Sequence, residues 1–133
     1  MKKAVAILIA IVVILCLGIL GTRFEHWRGA ANEAAAANHL ARIAVAEDVY
    51  RHKHGGNYSQ SLSELEGLEA EPSAYVFKYT PGAPSVSNRI DTYSATAEPR
   101  IPSETGNRYF YIDQSRLLRY EFRQRASAAS PHL

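Results

Sequence analysis

The chain opens on an unbroken apolar run from Ala4 to Leu20, directly behind Met1-Lys2-Lys3, and is polar and mixed beyond it. At about 1.5 Å of rise per residue the run reaches roughly 26 Å as a helix, the lower limit for crossing a hydrocarbon core of about 30 Å. Ile7, Leu8, Ile9, Ile11, Val12, Val13, Ile14, Leu15, Leu17, Ile19 and Leu20 are therefore predicted to form a membrane anchor. Lys2 and Lys3 supply a cationic flank on one side, and Phe24 and Trp27 supply interfacial aromatics on the other. The pattern predicts a single span with the N-terminus inside and the remaining domain outside. A cleaved secretory signal fits less well, because Gly18 and Gly21 are wrongly spaced for a cleavage site.

From Gly29 to His54 the chain is rich in alanine and other strong helix formers. Ala36, Leu40, Ile43, Ala44, Glu47 and Tyr50 recur at spacings of three and four, which places them on one side of a helix facing a partner layer. Among them Ala36, Leu40, Ile43 and Tyr50 are the residues expected to hold a sheet against that helix. Gly55-Gly56 ends it. No proline separates this segment from the apolar run, so one continuous rod of about 50 residues is expected. Beyond a short helical turn at Ser61–Leu65, four aromatic or β-branched stretches read as strands: Tyr75–Tyr79, Thr92–Ala97, Arg108–Ile112 and Leu117–Phe122. Asp113-Gln114-Ser115-Arg116 predicts a hairpin, and the proline-containing stretches 81–85 and 98–102 predict loops. The fold class expected is α+β, with a long N-terminal helix, membrane-spanning in its first half, packed on a small three- to four-stranded antiparallel sheet. The expected organisation is an anchor and juxtamembrane segment at 1–28, an α+β domain at 29–124 and a flexible tail at 125–133.

Composition narrows the function classes. The 133 residues leave room for one small domain beyond the apolar run. The formal charge of +2, with Lys and Arg dispersed among Asp and Glu, argues against nucleic acid as a partner. The one cysteine, Cys16, lies inside the apolar run, so no disulfide staples the domain. His52-Lys53-His54 lacks the converging third and fourth ligands that zinc requires and reads as a solvated helix end. Glu64, Glu66, Glu69 and Glu71 form a polar stretch without a nearby histidine or nucleophile motif. Asn57-Tyr58-Ser59 matches a glycosylation sequon but reads as a turn after the helix. No catalytic, cofactor-binding or metal-ligating residue is assigned, and no small-molecule substrate is evident. Glu33 and Glu47 stand apart, as carboxylates on an alanine-rich helix that can pair with a neighbouring subunit's cations.

Ala30-Ala31-Asn32-Glu33-Ala34-Ala35-Ala36, followed by Leu40, Ile43, Ala46-Glu47, Tyr50, Gly55-Gly56, Tyr58, Leu62 and Leu65, resembles the type IV pilin and type II secretion pseudopilin family. The likeness resumes at 93–99 and 102–115, which resemble the C-terminal strands of a major-pilin-like subgroup. The resemblance implies a pilin-like fold and a non-enzymatic, exported structural subunit or accessory component of a type IV pilus or type II secretion apparatus. It would sit in the inner membrane as a single-pass protein with its C-terminal domain in the periplasm. Its partners would be other pilin-like subunits or assembly proteins. The chain departs from the family at its start, where Met1-Lys2-Lys3-Ala4 shows neither the glycine–phenylalanine processing site nor the glutamate that follows it. That departure supports an alternative expectation, an uncleaved stand-alone periplasmic interaction module with a pilin-derived fold and no filament assembly.

Overall fold

The computed structural model describes residues 9–19 and 27–133, together with the bounds of the first helix. That helix, α1, spans Lys2–Lys53. Four strands follow, β1 (Tyr75–Pro81), β2 (Tyr93–Pro99), β3 (Arg108–Asp113) and β4 (Arg119–Phe122), with a short 3-10 turn at Leu62–Glu64 between α1 and β1. The strands form one sheet in the order β1-β2-β3-β4, every neighbouring pair antiparallel. An antiparallel meander needs no crossover, and the segments 82–92, 100–107 and 114–118 connect its strands.

The second half of α1 holds the sheet. Ala36, Leu40, Ile43 and Ala44 are buried together with Ala95 and Ala97 of β2 and Phe110 and Ile112 of β3. Strand β2 alternates cleanly between buried and half-buried residues, the pattern of a strand with one face on the core. Ala95 and Ala97 are small where α1 crosses, which lets helix and sheet approach closely, and Phe110 and Tyr75 fill the space beside them. Tyr50 is only half-buried, at the margin of this core.

The last turn of α1 carries Arg51, His52 and Lys53, cations that suit the negative end of the helix dipole. Gly55 and Gly56 then take φ of 63° and 93°, the left-handed conformation, so that the Gly56 amide bonds back to the Arg51 carbonyl at 2.9 Å. Gly106 is required for a different reason. A Cβ there would lie 2.2 Å from the Tyr75 hydroxyl oxygen, whose hydrogen bond to the Arg108 carbonyl depends on this close approach. At the β3–β4 turn the Asp113 side chain accepts from the Ser115 amide at 2.9 Å and its carbonyl accepts from the Arg116 amide at 2.8 Å.

Several expectations are corrected. Among the described residues no helix is long and apolar enough to cross a membrane. This overturns the membrane-spanning first half in the expected fold, the membrane anchor and the placement as a single-pass inner-membrane protein with a periplasmic domain. Among the described residues the apolar stretch of α1 runs from Ile9 to Ile19, shorter than the about 20 residues a span requires. Ile7, Leu8 and Leu20 of the expected anchor lie outside the described residues, as do Lys2, Lys3 and Phe24 of its expected flanks. The segment 125–133, expected as a flexible tail, folds back along the outer edge of β4. The Tyr120 amide donates to the Pro131 carbonyl and the Leu133 amide to the Leu118 carbonyl, both at 2.9 Å, and Ser130 is buried. An edge strand leaves backbone donors and acceptors open, and this segment satisfies them.

Leu40, fully buried between helix and sheet, is the most sensitive single position. Leu40→Ala is expected to lower the unfolding free energy by about 2–5 kcal/mol in denaturant titration, and Leu40→Asp to prevent folding. Unchanged melting of the aspartate variant would remove Leu40 from the core.

Candidate functional site

Glu33 and Glu47, the two carboxylates expected to reach a neighbouring subunit, are both used inside the molecule. Glu47 is 0% exposed. One of its oxygens accepts from the hydroxyls of Ser59 and Tyr79, and the other accepts from the Ser59 amide at 3.1 Å. The helix thus pins both the segment that follows it and strand β1. Glu33 accepts from the Asn107 amide at 2.8 Å and the Arg108 amide at 3.3 Å, and pairs with the Arg108 guanidinium at 3.5 Å. Next to it the Asn32 side-chain amide donates to the Thr105 carbonyl at 3.0 Å. Both carboxylates are thus engaged within their own fold, Glu47 completely buried and Glu33 bound to the start of β3.

Around Glu47 lies a tyrosine cluster that the sequence did not single out. Tyr79 and Tyr93 stack with ring centroids 5.9 Å apart, and Tyr93 meets Tyr58 at 4.9 Å. Burial drives the hydroxyls of Tyr79 and Tyr93 well above the ordinary tyrosine value, and the neighbouring Glu47 charge adds to the effect. These phenols stay protonated, so that of Tyr79 is a constant donor to Glu47. No short motif marks this network, because Ser59 is 12 residues from Glu47 and Tyr79 is 32.

The described histidines show no convergent chemistry. His54 stacks on Tyr50 at 3.8 Å, with its Nδ1 against the Tyr50 carbonyl at 2.8 Å. His39 is buried edge-on against Phe77, 4.6 Å between ring centroids, and His26 lies outside the described residues. Among the described residues no group of three or more His, Cys, Asp or Glu could hold a metal ion. The Asn57 amide is occupied on both sides, donating to the His54 carbonyl at 3.1 Å and accepting from the Ile90 amide at 3.1 Å, while Ser59 of the sequon is buried.

What remains available to a partner is surface. Ile9, Ile11, Val12, Val13, Ile14, Leu15, Leu17 and Ile19 are all exposed, as is Trp27 at 73%. A helical segment that is apolar on every side is otherwise found covered. Further along α1, Val45 and Val49 face away from the sheet, 64% and 48% exposed. The acidic stretch runs beside the same helix, where Glu69 meets Arg42 at 2.6 Å and Glu66 meets Lys53 at 2.7 Å. The cations hold the Glu66 and Glu69 carboxyls below their ordinary range. On the other flank Asp48, Arg51, His52, Gly56 and Arg116 line an open cavity of about 630 Å³. Comparison of the chain with protein-family models, with curated proteins and with solved structures finds no match.

Two outcomes are expected from the buried groups. Removing the acceptor in Glu47→Ala leaves the buried Ser59 amide unpaired and reduces the Ser59 and Tyr79 hydroxyls to each other and the Ser59 carbonyl, which should cost about 2–3 kcal/mol in chemical denaturation. Burial lowers the His39 pKa below its ordinary 6.5, partly opposed by the Glu71 charge, while Arg42 lowers it further and Glu69 raises it. The folded state therefore prefers neutral His39. Its contribution to stability is complete above pH 6.5 and declines as pH falls below that value. Melting temperature measured across this range should fall with acidification in the wild type and less steeply in His39→Leu; parallel curves would rule out His39 as the source.

Proposed function

We propose that the chain is a pilin-like assembly subunit, a structural or accessory component of a type IV pilus or type II secretion apparatus that works by helix packing and not by catalysis. The observation that carries this reading is the exposed apolar segment of α1, Ile9 to Leu17, on the same helix whose second half holds the sheet. Covering large aliphatic side chains stabilises association by about 25 cal/mol for each Å² removed from water. Similar helices from other subunits offer such a cover. The division of α1 supports the reading further. Its second half is committed to its own domain through Leu40, Ile43 and Glu47, whereas Ile9 to Leu17 of its first half expose their aliphatic side chains.

The test is assembly itself. The full chain without detergent should form large species in sedimentation, and Ile14→Asp with Leu17→Asp should disperse them while leaving the unfolding transition of the domain unchanged. Assembly that survives both substitutions would sink the reading.

A further inference from the structure

The two flanks of α1 carry opposite charge. On one flank Arg42 and Lys53 tether the loop after the helix through Glu69 and Glu66, at 2.6 and 2.7 Å, and that loop also carries Glu64 and Glu71. Glu64 and Glu71 are exposed and have no ion-pair partner among the described residues. Carboxylates therefore outnumber cations on this side. On the opposite flank the cavity is lined by Arg51, His52 and Arg116 against the single carboxylate of Asp48.

The guanidiniums there are held in place. Arg116 binds Asp48 at 2.9 Å, and Arg51 donates through Nε to the Gly56 carbonyl at 3.3 Å while lying 5.2 Å from the Tyr58 ring centroid. Arg116 also sits at φ 63°, a left-handed backbone conformation that costs a residue with a side chain some stability. Arg51 has no carboxylate partner among the described residues. Val45 and Val49 occupy the exposed face between the two flanks.

We propose that this cavity takes the acidic loop Glu64–Glu71 of a second copy of the chain. A loop with excess exposed carboxylates and an open cavity with excess guanidiniums, complementary in charge, belong to one molecule. In the folded chain Arg42 and Lys53 hold the loop, and none of its residues lines the cavity. Such a contact is heterologous, each copy offering its loop to one neighbour and its cavity to the other, and it repeats along a row. Exposed ion pairs are individually weak, so the contact selects partner and register more than it adds affinity. It rests on the assembly reading only in taking a second copy as the partner.

The experiment uses the full chain in a neutral detergent, which covers the apolar part of α1 and leaves the domain contact to be read by sedimentation velocity. Association should be present at low salt and weaken at high salt. Arg51→Glu with Arg116→Glu, and separately Glu64→Lys with Glu71→Lys, should each associate about tenfold more weakly. An equimolar mixture of the two variants should regain wild-type association, because each supplies the surface the other lacks. The milder pair Arg51→Gln with Arg116→Gln, checked for an unchanged melting curve, should lose association in the same direction. No association of the wild type at low salt, or a mixture no better than its components, would overturn the proposal. Retained association of the Ile14→Asp, Leu17→Asp variant in detergent, with assembly lost without it, separates the two contacts.

Discussion

Helix α1 and the sheet are held together where two alanines lie opposite two aliphatic side chains. Ala95 and Ala97 on β2 leave room for the helix to come close, and Leu40 and Ile43 fill that room completely. Strand β3 contributes Phe110 and Ile112 to the same layer, so the two central strands are fixed relative to one another by the helix that crosses them as well as by their own ladder. A larger residue at either alanine would lift the helix, and a smaller one at Leu40 would leave a cavity under it.

Two buried or half-buried carboxylates convert this packing into a defined arrangement of loops. Glu33, near one end of the sheet contact, receives the amides at the start of β3, and Glu47, near the other end, receives Ser59 and Tyr79. Apolar contact alone tolerates small slips of a helix across a sheet, whereas directional bonds to buried acceptors do not. Both carboxylates are engaged within the fold. The surfaces left over are aliphatic on the first half of α1 and oppositely charged on the two flanks of its second half.

These surfaces lead to a division of labour within the proposed assembly. Aliphatic packing along α1 would supply the bulk of the association energy, because apolar burial scales with area and needs no particular angle. Charged contacts between domains would set how one copy is placed against the next, since they act through specific groups and are lost when those groups are exchanged. Neither role calls for catalysis, and each can be removed without the other.

Local pattern was enough to read the alanine-rich helix, its glycine terminus, the strand character of the aromatic stretches and the hairpin at Asp113–Arg116, because helix periodicity, turn chemistry and β-propensity act over a few residues. The stripe Ala36, Leu40, Ile43 was legible for the same reason: spacings of three and four put these residues on one face whatever lies opposite. Hydropathy over the first residues led instead to a membrane span, whereas no helix among the described residues is long and apolar enough to form one. Tertiary structure alone decided the rest. It turned Glu33 and Glu47 inward, gathered Ser59, Tyr79 and Tyr93 around one carboxylate, drew 127–133 onto the edge of β4, and brought Arg116 beside Asp48. Each of these pairs is distant in sequence, and the free energy that joins them arises from burial and hydrogen bonding between elements, which no local spacing encodes.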